Sequence, residues 1–157
     1  MSTLLERIMA YWQWADNSIW SLVSELSDSE FEQTFDDSVP SIRQRYVHLA
    51  QDNWEWYTEW TGTDLEDEPS FDKMSRTSLF TFISTYVEKW ANLLSTSGTK
   101  TMNIRRGNKT FTLTLPEILF HMSNHATYHR GQITQSLRLL GKEVHMTDYV
   151  PFRLATA

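Results

Sequence analysis

Three of the chain's five histidines, His121, His125 and His129, follow one another at intervals of four residues. On an α-helix such residues are neighbours on one face. Two imidazoles at that spacing can chelate one cation, with a third ligand arriving from another helix. An isolated pair of this kind is commonplace. Here the pair stands in a stripe that is otherwise apolar, formed by Leu115, Ile118, Leu119, Met122, Ala126, Ile133, Leu137 and Leu140. At about 100° per residue, His129 lies inside that stripe, His125 at its edge and His121 about another 40° toward solvent. The pair His125/His129 is therefore the one aimed inward. Outside this helix and the tail after it, the remaining histidine is His48. It falls beside the main stripe of its own helix, close to Arg45, Asp52 and Glu59, so periodicity leaves it open between third ligand and surface residue.

Three neutral imidazoles suit Zn²⁺, Ni²⁺ or Fe²⁺ and leave a coordination position for water or substrate. Imidazoles alone do not choose among these metals, and Zn²⁺ is the default expectation. A metal in such a site lowers the pKa of a water or thiol that it binds. Other chemistries are excluded. The 157 residues include no Cys, so there is no disulfide, thiolate–zinc site or cysteine nucleophile. The sequence has no H-E-x-x-H motif, no G-x-S-x-G elbow, no phosphate loop and no E-x-x-H pair of the di-iron bundles. A net charge of −6 argues against general nucleic-acid binding.

The elements that must position these histidines are helices. Hydrophobic residues make up 40% of the chain and charged residues 22%, as in a folded domain. Five Gly and four Pro supply too few turns for a many-stranded sandwich or barrel. The first apolar stripe runs from about Thr3 to Leu26 through Leu4, Leu5, Ile8, Trp12, Ala15, Ile19, Leu22 and Val23. The second runs from Ser41 to Trp60 between Pro40 and Gly62, through Ile42, Tyr46, Leu49, Asn53 and Tyr57. The third runs from Ser75 to Leu94 and stops before Ser97-Gly98. Between them lie an acidic connection with Asp28, Glu30, Glu32, Asp36 and Asp37, and a solvated linker with Asp64, Glu66, Asp67 and Glu68. Residues 100–113 alternate about Arg106-Gly107-Asn108 and predict a β-hairpin. Thr114-Leu115-Pro116-Glu117 is a capping box that opens the fourth helix, and Gly141 ends it. The expected fold is all-α: one domain over residues 1–157, an antiparallel four-helix bundle with long connections and a small β-hairpin before the last helix. Neither a secretory signal nor a membrane span is expected, and a cytoplasmic protein is.

With those elements in place, the run His121-Met-Ser-Asn-His125-Ala-Thr-Tyr-His129-Arg-Gly-Gln132-Ile, ending at Leu139-Leu140-Gly141, closely resembles the signature of the DinB (DNA-damage-inducible) family of four-helix metalloproteins. Tyr11-Trp12-Gln13-Trp14-Ala15-Asp16-Asn17 resembles its first-helix segment, with a charge at Asp16 where the family has an Asn-like residue. Val47-His48-Leu49 sits where the family places its first ligand. The resemblance implies His48, His125 and His129 as the metal ligands and leaves His121 out of the set. It also implies a homodimer, for which Trp14 and Trp20 offer apolar surface beside the main stripe. Some relatives resemble thiol S-transferases that use a low-molecular-weight thiol, or the related isomerases and hydrolases. A chain without cysteine must receive any thiol from outside.

The expected function is thus a divalent-metal-dependent thiol S-transferase or hydrolase acting on a small molecule. The alternatives are a non-catalytic metal-binding stress-response protein and a dimeric interaction module. Asp52, Tyr128 and Gln132 flank the ligands. Asp52 is a candidate hydrogen-bond acceptor or general base, with a surface carboxylate as the default. Gln132, about one turn beyond His129, is a candidate partner of that ligand. Arg130 is read as structural, pairing with a carboxylate or a helix end. Lys100, Arg105, Arg106 and Lys109 form a basic patch on the hairpin, read as solvated rather than as a seat for an anionic thiol.

Overall fold

A computed structural model describes residues 3–36, 39–63, 68–94 and 100–157, with the Arg106 side chain excepted. Six helices and one hairpin are present among them: α1 (Leu4–Val23), α2 (Asp28–Glu32), α3 (Ile42–Thr61), α4 (Arg76–Leu93), β1 (Thr101–Arg106), β2 (Lys109–Thr114), α5 (Leu115–Leu139) and α6 (Tyr149–Ala155). The fold is a four-helix bundle of α1, α3, α4 and α5 with the hairpin before the last long helix. The stop at Ser97-Gly98 and the linker acids Asp64, Glu66 and Asp67 lie outside the described residues, as does Asp37.

The helix ends follow from local chemistry. Thr3 and Ser41 cap α1 and α3 through reciprocal bonds with Glu6 and Gln44. At α5 the Thr114 amide and hydroxyl both donate to the Glu117 carboxylate, each at 2.7 Å. Gly141, at φ 76°, takes the left-handed turn that ends this helix. The hairpin pairs Ile104 with Phe111 and Met102 with Leu113. Its tight turn places Gly107 at φ 58° while Asn108 stays at negative φ, the II′ pattern that matches strand twist.

The bundle is cross-connected. Each of α1 and α3 packs against both α4 and α5, so α1 faces α3 across the diagonal. Arg76, at the start of α4, donates to the Val23 and Leu26 carbonyls at the end of α1, so these two helices are antiparallel. Arg43, at the start of α3, donates to the Asp72 and Met74 carbonyls just before α4. Tyr57, late in α3, packs on Tyr86 and Trp90, so α3 and α4 run parallel. Since α3 and α5 are antiparallel (below), α5 runs with α1. The described residues 68–75 lie back along α3, where Glu68 accepts from Gln51, Phe71 packs on Trp54, and Asp72 and Met74 meet Arg43.

The core holds Trp12, Trp60 and Trp90, all fully buried, with Ile19, Ile42, Leu79, Ile118, Leu119 and Leu137. The expected stripes match the buried faces in the main. Leu4 is an exception: it stands at the first position of α1, beyond the packed part of the bundle, and is exposed. Two elements escaped the periodicity. The short α2 interrupts the acidic connection, capped by Ser27 with Glu30, and buries Phe31. In the tail, α6 packs Phe152 on Tyr11 and Trp14. Trp14 is thereby engaged within the chain, and Trp20 stacks on Phe80 at 4.3 Å.

Arg130 is buried in the middle of α5 and is paired at 2.7 Å with Asp16 of α1. Burial pushes the Asp16 carboxyl above its ordinary value, against the opposing pull of that guanidinium. The pair is the structural role expected for Arg130, and it explains a charge at position 16. Removing one partner leaves the other charge buried. Asp16→Ala should destabilise the protein by about 3 kcal/mol in urea denaturation. The double variant Asp16→Ala/Arg130→Met should recover a large part of that loss; equal losses in both would show that the pair is not the cause.

Candidate metal centre

The site is built by register between α3 and α5. Four layers face each other: Arg45 with Gln132, His48 with His129, Asp52 with His125, and Trp56 with His121. Each step of three or four residues along α3 is matched by the same step back along α5. This is the signature of an antiparallel pair whose neighbours repeat about once per turn. His48 is thereby brought to the other two histidines although it lies beside the core stripe. The seam between two helices accepts residues that point neither to the centre nor to open solvent.

His48, His125 and His129 each offer a ring nitrogen, and the three atoms lie within 4.8 Å of one another. The ring centroids are 4.5 Å apart for His125/His129, 4.7 Å for His48/His129 and 5.4 Å for His48/His125. Burial is graded: His129 is buried, His125 intermediate and His48 exposed. Both Nε2 atoms on α5 are buried, and neither makes an aligned hydrogen bond. His121 stacks on His125 at 5.9 Å and lies 4.8 Å from the Trp56 ring, outside the three-histidine group.

The buried ligand candidate is oriented from behind. His129 Nδ1 is 2.9 Å from Gln132 Oε1. An amide oxygen only accepts, so this nitrogen carries the proton and Nε2 keeps its lone pair toward His48 and His125. Arg45 donates to the same amide oxygen and holds it in place. Burial, with the positive charge of His125 and His48 when protonated, lowers the His129 pKa to about 4. At neutral pH this ring is a neutral donor of electrons, the form that a cation requires.

Asp52 is not the surface carboxylate that was its default reading. Its Oδ2 lies 2.6 Å from His125 Nε2 and 3.3 Å from His48 Nε2, with a side chain only 18% exposed. Tyr128 sets its ring edge-on against His129 at 5.2 Å and is itself largely exposed. Of the hairpin's basic residues, the Arg106 side chain lies outside the described ones, and the other three do not line the site. Lys100 donates to the Trp60 carbonyl and covers its ring, and Arg105 and Lys109 are exposed.

A cleft of about 450 Å³ opens beside the cluster. His48, Asp52, His121 and His125 line one side, with Trp56 and Glu117, and Ile104, Phe111 and Leu113 of the hairpin form the other. Sequence reasoning missed this wall. The alternation of Ile104 with Phe111 and Leu113 revealed a hairpin, but not the surface that it covers.

The sequence model of the DinB family matches residues 1–156. The chain belongs to the DinB family. Protein DinB of Bacillus subtilis (strain 168) is 26% identical over 163 aligned residues, covering 95% of this chain and 93% of its own. YfiT from Bacillus subtilis, described as a probable metal-dependent hydrolase with an unusual four-helix bundle topology, superposes with a TM-score of 0.66. That match has 15% identity and covers 91% of each chain, so it speaks to the fold. No helix of this DinB-family protein is long and apolar enough to cross a membrane among the described residues.

Two outcomes follow from the Gln132 contact and from burial of His129. Gln132→Leu, which removes the acceptor, should weaken Zn²⁺ binding about 10- to 100-fold in competition titration, whereas Gln132→Glu keeps an acceptor and should bind. In the metal-free protein, the unfolded chain takes up a proton at the ordinary histidine value near 6.5, and folded His129 only near 4. Between these values stability falls as pH falls. The melting temperature should drop from pH 6.5 to 4, and drop less in His129→Phe.

Proposed function

We propose that the chain is a metal-dependent enzyme that hydrolyses a small molecule, with one divalent cation held by His48, His125 and His129. The observation that carries this reading is His129 Nε2: a buried nitrogen with no hydrogen-bond partner, its tautomer fixed, facing two more imidazoles. Buried polar atoms are nearly always satisfied, and a cation is the partner that fits three converging imidazole nitrogens. The description of YfiT as a metal-dependent hydrolase supports the same reading. Zn²⁺ is the expected metal, with Ni²⁺ and Fe²⁺ compatible with imidazole ligands.

A cation bound here supplies Lewis acidity, lowering the pKa of a coordinated water or thiol. The chain's own groups do the rest. Arg45 and Gln132 keep the His129 proton on Nδ1, away from the ligand face. Asp52 Oδ2, beside His48 and His125, would serve as the proton acceptor for a nucleophile at the cluster. The cleft seats the substrate next to that carboxylate. Because three imidazoles contribute no negative charge, the cation's charge stays available to an anionic nucleophile. With an external low-molecular-weight thiol in place of water, the chain would act as a thiol transferase.

The test compares holo protein, chelated protein and His129→Ala against ester, amide and electrophile panels, with and without small thiols. Holo protein alone should turn over, and elemental analysis should find near one metal per chain, lost in His125→Ala and His129→Ala but kept in His121→Ala. Asp52→Asn should retain the metal and lose at least about tenfold in kcat. Turnover only with thiol would make it a transferase. Stoichiometric metal without turnover on a broad panel would favour a metal-binding protein.

A further inference from the structure

We propose that the cleft between the hairpin and the α3/α5 seam is a seat for the apolar, ring-bearing end of a neutral or cationic small molecule. This rests on the reading of the histidine cluster as the reacting centre, since the seat ends at that cluster.

Three observations carry it. The first is continuity. The rings of His125, His121 and Trp56 succeed one another along the wall, at 5.9 and 4.8 Å, leading from the cluster into the cleft. A flat group can lie along such a wall. The second is the opposite side. Phe111 remains 45% exposed although its cross-strand partner Ile104 is buried at 2%. Both point to the same face of the hairpin, because directly paired residues share a face. Ile104 meets the bundle, and Phe111 overhangs the cleft as an apolar surface without cover. A concave site of this volume, with an apolar hairpin wall facing polar groups on the helices, has the form of a small-molecule pocket.

The third observation is charge. Among the described side chains, no lysine or arginine lines the cleft. Its charged members beside the histidines are Asp52 and Glu117. The Thr114 hydroxyl and amide bonds hold the Glu117 carboxyl below its ordinary range, so it is an anion at neutral pH. An incoming carboxylate or phosphate finds no counter-ion along this wall, whereas an amine finds one. Glu117 is at the far end from His129 along α5, three turns away, so it would meet the end of the molecule remote from the reacting atom.

The test uses chelated protein and three matched probes: benzylamine, benzyl alcohol and benzoate. Amide and indole shifts are followed by ¹⁵N–¹H correlation spectra. Benzylamine and benzyl alcohol should shift the Phe111 and Leu113 amides and the Trp56 indole, and benzoate should not. Phe111→Ala should weaken binding of both at least about fivefold. Glu117→Gln keeps the capping box and should erase the preference for the amine over the alcohol. Tighter binding of benzoate, shifts elsewhere, equal affinity in Phe111→Ala, or no shift up to the solubility limit would overturn the seat. A zinc titration of the same samples separates the two readings. Zinc uptake without probe shifts in the cleft overturns the seat alone. Probe shifts without zinc uptake overturn the metal reading and support the seat.

Discussion

One amide oxygen decides how the centre of this protein can behave. Gln132 Oε1 takes the proton of His129 Nδ1 and is itself held by Arg45. If the amide were absent, the imidazole could carry its proton on either nitrogen, and the buried face toward His48 would lose its definition. The device differs from the more common carboxylate behind a ligating histidine, which adds negative charge and makes the ring more basic. Here the acceptor is neutral and a guanidinium stands behind it. The ring is oriented with a smaller gain in basicity than a carboxylate behind it would give.

That bond exists because α3 and α5 meet antiparallel in a fixed register. The remainder of the bundle maintains the register. The Asp16–Arg130 pair ties α5 to α1 one residue beyond His129, and the Thr114–Glu117 box fixes where α5 begins. Lys100 donates to the Trp60 carbonyl in the last turn of α3, next to the strand that becomes part of one wall of the cleft. Catalytic geometry on rigid helices is held more closely than on loops, and here only the hairpin wall departs from that plan.

The sequence showed the four long helices clearly, since apolar residues at spacings of three and four outlast any local ambiguity. It showed the inward pair His125/His129 for the same reason. His48 was not legible from periodicity. A seam residue belongs to neither the core face nor the outer face, and only the resemblance placed it. Asp52 was obscure for the same reason, being one turn further along the same seam. The Gln132 contact was within reach, because i,i+3 neighbours on a helix touch. The Arg45 contact crosses between helices and needs the register. The short helix α2 carried a readable signal, Ser27 with Glu30, masked by the acidic run around it. The tail helix α6 is too short for a stripe, and it is stabilised by the aromatic surface of α1 rather than by its own pattern.

The parallel course of α3 and α4 has a topological consequence. No two sequence-adjacent long helices form a simple hairpin here: α1 precedes its diagonal partner, and α3 precedes a parallel neighbour. The contacts that join His48 to His129 close a loop containing a whole helix, the connection before it and the hairpin. Loop-closure entropy grows only with the logarithm of length, about 0.6 kcal/mol for each doubling. Lengthening the connection between α3 and α4 is therefore cheap, and it adds no residue to the four layers at the α3/α5 seam. Among the described residues, the connection between α3 and α4 contributes no side chain to the cluster or its cleft, so chain can be added there while the centre keeps its spacing.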